Sequence, residues 1–145
     1  MTEPNAQDVY RYWDSHTMGT QFLRGEAVEP GSKEFFERLH PIMFRHEYLI
    51  PLYDKESVAL RGKSLVEVGC GMGFDSLEWK KRGVDVTSVD LTPNALRNAK
   101  QHFEVMGDTG RFTVGSAFHP LYRLIPKALA RPFGFKFVIT GNKPA

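Results

Sequence analysis

The sequence predicts an α/β fold: a parallel sheet with helices on both faces, preceded by an N-terminal helical arm. Three observations carry that expectation. Leu65, Val66 and Val68 are the apolar run of a buried parallel strand, and Gly69, Gly71 and Gly73 follow at once, letting the backbone turn sharply and approach a ligand where a Cβ would collide. A helical segment comes next, with Phe74 and Leu77 apolar, Lys80, Lys81 and Arg82 in its last turn and Gly83 placed to cap it. A second strand, Val84 to Asp90, then ends on an acid, so strand, glycine loop, helix and strand succeed one another without conflict.

The remaining elements divide at residue 60. Residues 1–60 form the arm, rich in aromatics: Tyr10, Tyr12, Trp13, Phe22, Phe35, Phe36, Phe44, Tyr48 and Tyr53. Within it Gly31-Ser32 caps a helix carrying Phe35, Phe36 and Leu39, and Pro41 marks a break or a new first turn before Ile42 and Met43. Residues 61–145 form a compact core. After Asp90, Thr92 and Pro93 are an N-cap and first helical residue, Leu91 and Leu96 stand at the staple positions, and the helix runs through Ala95, Ala99 and Phe103 toward Gly107. A third strand spans Arg111 to Val114. His119-Pro120 and a short helical region over residues 121–129 come after it, and a last strand is expected between Phe135 and Thr140.

A glycine loop after the first strand and an acid at the end of the second serve two cofactor classes, the acid accepting hydrogen bonds from ribose hydroxyls. A dinucleotide fingerprint needs G-x-G-x-x-G, and Phe74 stands where its third glycine belongs, which argues against a nicotinamide-dependent oxidoreductase. The loop is G-x-G-x-G preceded by Glu67. At this point the chain resembles the class I S-adenosylmethionine-dependent methyltransferases, whose first motif, E/D-x-G-x-G-x-G, is matched by Glu67, Gly69, Gly71 and Gly73. A cofactor that is a cation plus a carboxylate, without phosphate, suits such a loop, with Glu67 near its ammonium.

The resemblance implies a truncated Rossmann-like methyltransferase sheet. It covers the first two thirds of the chain and the last dozen residues, as though the fourth strand and most of the later elements of the family domain had been removed. It implies S-adenosylmethionine as cofactor, with S-adenosylhomocysteine as product, and a cofactor site of Glu67, Gly69, Cys70, Gly71, Gly73, Asp75, Asp90 and Leu91. Beyond the third strand Ser116 stands where the family usually has an acid for the adenine amino group, and Ala117 and Phe118 would wall the ring. A Tyr-Trp-Asp segment ahead of the motif serves in the family as a lid, which makes Tyr10, Tyr12, Trp13 and Arg24 candidate pocket residues; alternatively these aromatics cover a sheet face.

A candidate base is His119, next to the carboxyl edge of the sheet where ligands of open α/β folds bind. His102 is expected to face away from the site, and His40 and His46 to serve at the surface or as caps. Cys70, the single cysteine, sits where the loop needs a small side chain and is not expected to act as a thiol. A net charge of +2 gives no nucleic-acid footprint, and the absence of an apolar span or leader points to the cytoplasm, with no membrane partner and no metal. The expected activity is methyl transfer to a small-molecule acceptor; the alternative is a protein that binds S-adenosylmethionine or S-adenosylhomocysteine without turnover. In the family's strand order, loss of the fourth strand leaves Leu65 to Val68 as an open edge. The C-terminal strand must cover it, within the chain or by exchange, and a homodimer or larger homo-oligomer is expected.

Overall fold

The computed structural model describes residues 6–16, 19–115 and 137–142, the last as backbone. Helix α1 (Ala6–Ser15) and a short 3-10 helix (Thr20–Leu23) lead into α2 (Lys33–Met43) and α3 (Leu49–Ala59). Then come β1 (Lys63–Val68), α4 (Phe74–Lys81), β2 (Asp85–Asp90), α5 (Pro93–Val105), β3 (Arg111–Val114) and β4 (Phe137–Asn142). The helical region expected over residues 121–129 lies outside the described residues. No helix among the described residues is long and apolar enough to cross a membrane.

Local chemistry sets most of these boundaries. Ser32 accepts a hydrogen bond from the Phe35 amide (3.1 Å) and Thr92 from the Ala95 amide (3.3 Å), so each satisfies a donor that a helix start leaves open. α4 and α5 end alike. Gly83 and Gly107 both have a φ of 78°, and the residue after each returns its amide to the helix, Val84 to Trp79 (3.1 Å) and Asp108 to Phe103 (2.9 Å), closing a Schellman turn. Pro41 does not break α2, which continues to Met43 and closes with the Phe44 amide on the His40 carbonyl (3.0 Å). Ile42, Met43 and Phe44, packed against the same apolar cluster as Phe35 and Phe36, offset the missing proline donor.

The sheet has the order β3-β2-β1-β4. β1 pairs with β2 in parallel, Leu65 opposite Val86, and β2 pairs with β3 in parallel, Ser88 opposite Phe112. β4 runs antiparallel to β1, Phe137 opposite Val68 and Asn142 opposite Lys63. The expected last strand therefore exists two residues later than its sequence pattern indicated, and within this chain it covers the edge that β1 would otherwise expose. Leu65 and Val86 bury beneath Trp79 of α4 and Tyr53 of α3, while Phe112 packs with Leu96 and Ala99 of α5, so both crossover helices lie on one sheet face.

The arm's aromatics divide. Phe35 and Phe36 are buried with Leu23 and Leu39 against Met72 and Phe74, so this part of the arm packs on the glycine loop and the start of α4 rather than on the sheet. Tyr53 is buried against Trp79 (ring centroids 4.6 Å apart). Tyr12, Trp13, Phe22 and Tyr48 are exposed.

Candidate cofactor site

The loop between β1 and α4 is built on positive φ at Gly69 (78°), Gly71 (54°) and Gly73 (74°). Two of these glycines do different work. A Cβ on Gly73 would stand 3.1 Å from the Ala99 Cβ and 3.3 Å from Phe103, so its bareness lets α5 close against the loop. A Cβ on Gly71 would meet nothing within 4 Å among the described residues, so the backbone there borders space that they leave open. The Gly69 and Cys70 amides both reach the Val89 carbonyl (2.8 and 3.1 Å), which fixes the loop's start to the end of β2.

Asp90, at that end, is the polar centre of the site. Its Oδ2 accepts from the Gly71 amide (2.9 Å), and its Oδ1 accepts from the Thr92 amide (3.0 Å) and the Thr92 hydroxyl (3.3 Å). A carboxylate has about four acceptor positions, so Oδ2 retains capacity for a further donor beside the open face of Gly71. Gly115, beyond β3, comes so close that a Cβ there would lie 3.1 Å from the Asp90 carbonyl oxygen.

The other candidates occupy distinct places. Glu67 is buried under α4, its Oε2 accepting from Ser76 Oγ (2.5 Å), which in turn accepts from Ser88 Oγ (2.7 Å). Asp75 accepts from the Tyr53 hydroxyl of α3, whose ionisation is pushed up by burial and by the Glu67 and Glu78 charges. Cys70 is buried against Leu96, Ala99 and Phe112. Leu91 is half-buried beside Asp90. Tyr10 and Trp13 lie on α1, which Asn94 ties to α5 by donating to the Asp14 carbonyl (2.8 Å), four residues beyond Asp90. Trp13 is exposed there, its ring edge-on to Tyr12 (centroids 5.1 Å). Arg24 is exposed. Ser116, Ala117, Phe118 and His119 lie outside the described residues.

Two histidines depart from expectation. His102 is not turned away: it is 1% exposed, its Nδ1 donates to the Met72 carbonyl inside the glycine loop (2.9 Å), and its ring stacks on Phe36 of α2 (centroids 4.1 Å, planes 12° apart). Burial pulls its pKa down to about 4, against the hydrogen bond to Met72. The spacing Ala95, Ala99, His102, Phe103 puts it on the buried stripe of α5, and that period was the signal available in the sequence. His40 is half-buried and bonds Glu78 Oε1 (3.1 Å). Glu78 also takes Arg82 (2.6 Å) and Lys81 (3.0 Å); the His40 bond, opposed by burial and aided by these cations, holds its carboxyl well below the usual carboxylate range.

Residues 65–124 match the sequence model of a family described as a methyltransferase domain. That stretch, which holds the Glu67 to Gly73 motif and Asp90, is thus similar to a methyltransferase domain. Among curated relatives, malonyl-(acyl-carrier protein) O-methyltransferase of Serratia marcescens is 41% identical over 51 residues, covering 32% of this chain and 20% of that protein. A ubiquinone biosynthesis O-methyltransferase of Coxiella burnetii is 38% identical over 52 residues (36% of this chain, 22% of the relative). Another, from Actinobacillus pleuropneumoniae, is 33% identical over 69 residues (48% and 30%). The chain thus spans between 20% and 30% of the length of these relatives. No solved structure matches it at a significant level.

Proposed function

We propose that this protein is a methyltransferase that binds S-adenosylmethionine across Gly69 to Gly73 and Asp90 and passes the methyl group to an oxygen of a small-molecule acceptor. The observation that carries the reading is Asp90: a carboxylate with remaining acceptor capacity, fixed by Gly71 and Thr92 at the end of β2, beside a stretch of loop whose open face has room for a ligand. A ribose hydroxyl is the donor such a position suits. Bound there, S-adenosylmethionine would supply an electrophilic methyl carbon and keep the sulfur as its leaving group, and solvent or His119 would take the proton that the acceptor hydroxyl gives up. Alignment in a dry pocket supplies much of the rate in such a transfer. The O-methyltransferase relatives support oxygen as the acceptor atom.

In the same proposal α1 is a lid over the site, Tyr10 and Trp13 closing on the cofactor from the anchor between Asn94 and Asp14, and copies of the chain associate through the outer edge of β4, which faces no strand among the described residues. Calorimetry tests the core of the reading. S-adenosylmethionine and S-adenosylhomocysteine should bind more tightly than NAD, and Asp90→Ala should cost about 1.5–3 kcal/mol of affinity, as for bonds to a charged acceptor. Preference for NAD, or unchanged affinity in the variant, would overturn it. Deleting the residues before Phe22 should weaken binding and leave a folded protein, and light scattering should give a mass above that of one chain.

A further inference from the structure

The glycine loop is held at its middle by two different contacts of one residue. Met72, between Gly71 and Gly73, sends its side chain into the cluster of Leu23, Phe35, Phe36 and Leu39, all from the N-terminal segment. Its carbonyl accepts from His102 Nδ1 on α5 (2.9 Å). A carbonyl can only accept, so Nδ1 carries the proton, and the neutral tautomer is defined. The ring that donates this bond is stacked on Phe36 and tilted against Phe74 (centroids 4.5 Å). One side chain therefore touches the arm, the loop carbonyl and the first residue of α4.

A hydrophobic residue of similar size would fill the same space among Phe36, Phe74 and Met72. The imidazole adds a directed donor in an interior where an unpaired carbonyl is costly. That donor orients the peptide between Met72 and Gly73, next to the Gly71 amide that reaches Asp90. We infer that His102 is a positioning residue: it holds the glycine loop in its binding shape and couples that shape to the packing of α2. The inference rests on the reading of this loop as the cofactor's cradle.

Two variants separate ring from donor. His102→Asn keeps an N–H near the Nδ1 position and loses the stack; His102→Phe keeps the stack and loses the N–H. Phe should weaken S-adenosylmethionine binding about tenfold or more, and Asn by less than about threefold, although Asn is the less stable protein. A merely structural role would order the two variants by stability, and that order of affinities would overturn the inference, as would wild-type affinity in His102→Phe. Nitrogen NMR of the unsubstituted protein supplies a reading that needs neither variant nor ligand. His102 should be the Nδ1–H tautomer at neutral pH, and finding the Nε2–H tautomer would exclude donation to Met72 and end the proposal. Should the unsubstituted protein bind no S-adenosylmethionine, the cradle reading fails by itself; the Gly71 and Gly73 amide resonances then decide this one, moving in His102→Phe if it holds and unmoved if it does not.

Discussion

His102 makes the fold's stability depend on pH in a window that can be calculated. In the unfolded chain its imidazole takes up a proton near the ordinary 6.5; in the folded protein burial delays this to about 4. Between those values the unfolded state binds a proton that the folded state refuses, so stability is full above pH 6.5 and falls as pH drops toward 4. At about 1.36 kcal/mol for each pH unit separating the two values, the loss reaches about 3 kcal/mol, and the side chain is too buried for solvent to screen it. That is a large part of the 5–15 kcal/mol roughly typical of a domain. The charged and titratable groups that face the ring are Glu78 and Lys81 from α4 and His40 from α2, and they are common to wild type and variant. Urea unfolding of both wild type and His102→Phe from pH 7.5 down to pH 4 isolates the histidine's share: the gap between their stabilities should shift in the variant's favour by about 3 kcal/mol. A constant gap across the window would refute the burial argument.

Other outcomes are expected from the same structure. Glu78→Gln should cost about 1.5–3 kcal/mol at neutral pH, since it weakens bonds to His40, Lys81 and Arg82. Because the folded carboxyl titrates below its ordinary 4.5, its contribution is present above that pH and lost beneath it, so unfolding titrations at pH 7 and pH 3 should show a flatter acid limb in the variant. Gly73→Ala should destabilise by about 1–2 kcal/mol from its left-handed backbone, with more from crowding against Ala99 and Phe103, and thermal melts would report it. Gly71→Ala carries similar backbone strain without that crowding; its methyl projects into the open cradle, so calorimetry should show a loss of S-adenosylmethionine binding larger than its loss of stability accounts for.

The parts of this fold that were legible in the sequence are those decided within a few residues. Ser32, Thr92, Gly83 and Gly107 set helix ends through bonds spanning at most five positions, and the Glu67 to Gly73 motif marks its loop by residue type alone. The contacts that could not be read depend on partners distant in sequence. Tyr53 meets Asp75 and His40 meets Glu78 only after α2 and α3 dock on α4. His102 shares its stripe with Ala99 and Phe103, but a polar type suggests the surface until the Met72 carbonyl that receives its proton is in place. Pro41 looks like a stop because its cost is local, whereas the packing of Ile42 and Met43 that offsets it is not.

The antiparallel return of β4 has a consequence for how the chain reaches this shape. Val68 and Phe137 are neighbours across the sheet although nearly half the sequence separates them, while β1, β2 and β3 find one another through single helices. Closing the β1–β4 pair from an unstructured chain is entropically the dearest step. Once β3 has docked, the tether shrinks to residues 115–136 and the closure becomes easier by about 1 kcal/mol, from the logarithm of the two lengths. Assembly in which the parallel strands form first and the last strand zips on is therefore favoured, and during synthesis β1 waits with one side unpaired until residues 137–142 have been made. In that interval another chain's strand can take the place that β4 will fill, so the speed of the final closure, as much as the strength of the finished sheet, governs how much of the protein escapes aggregation.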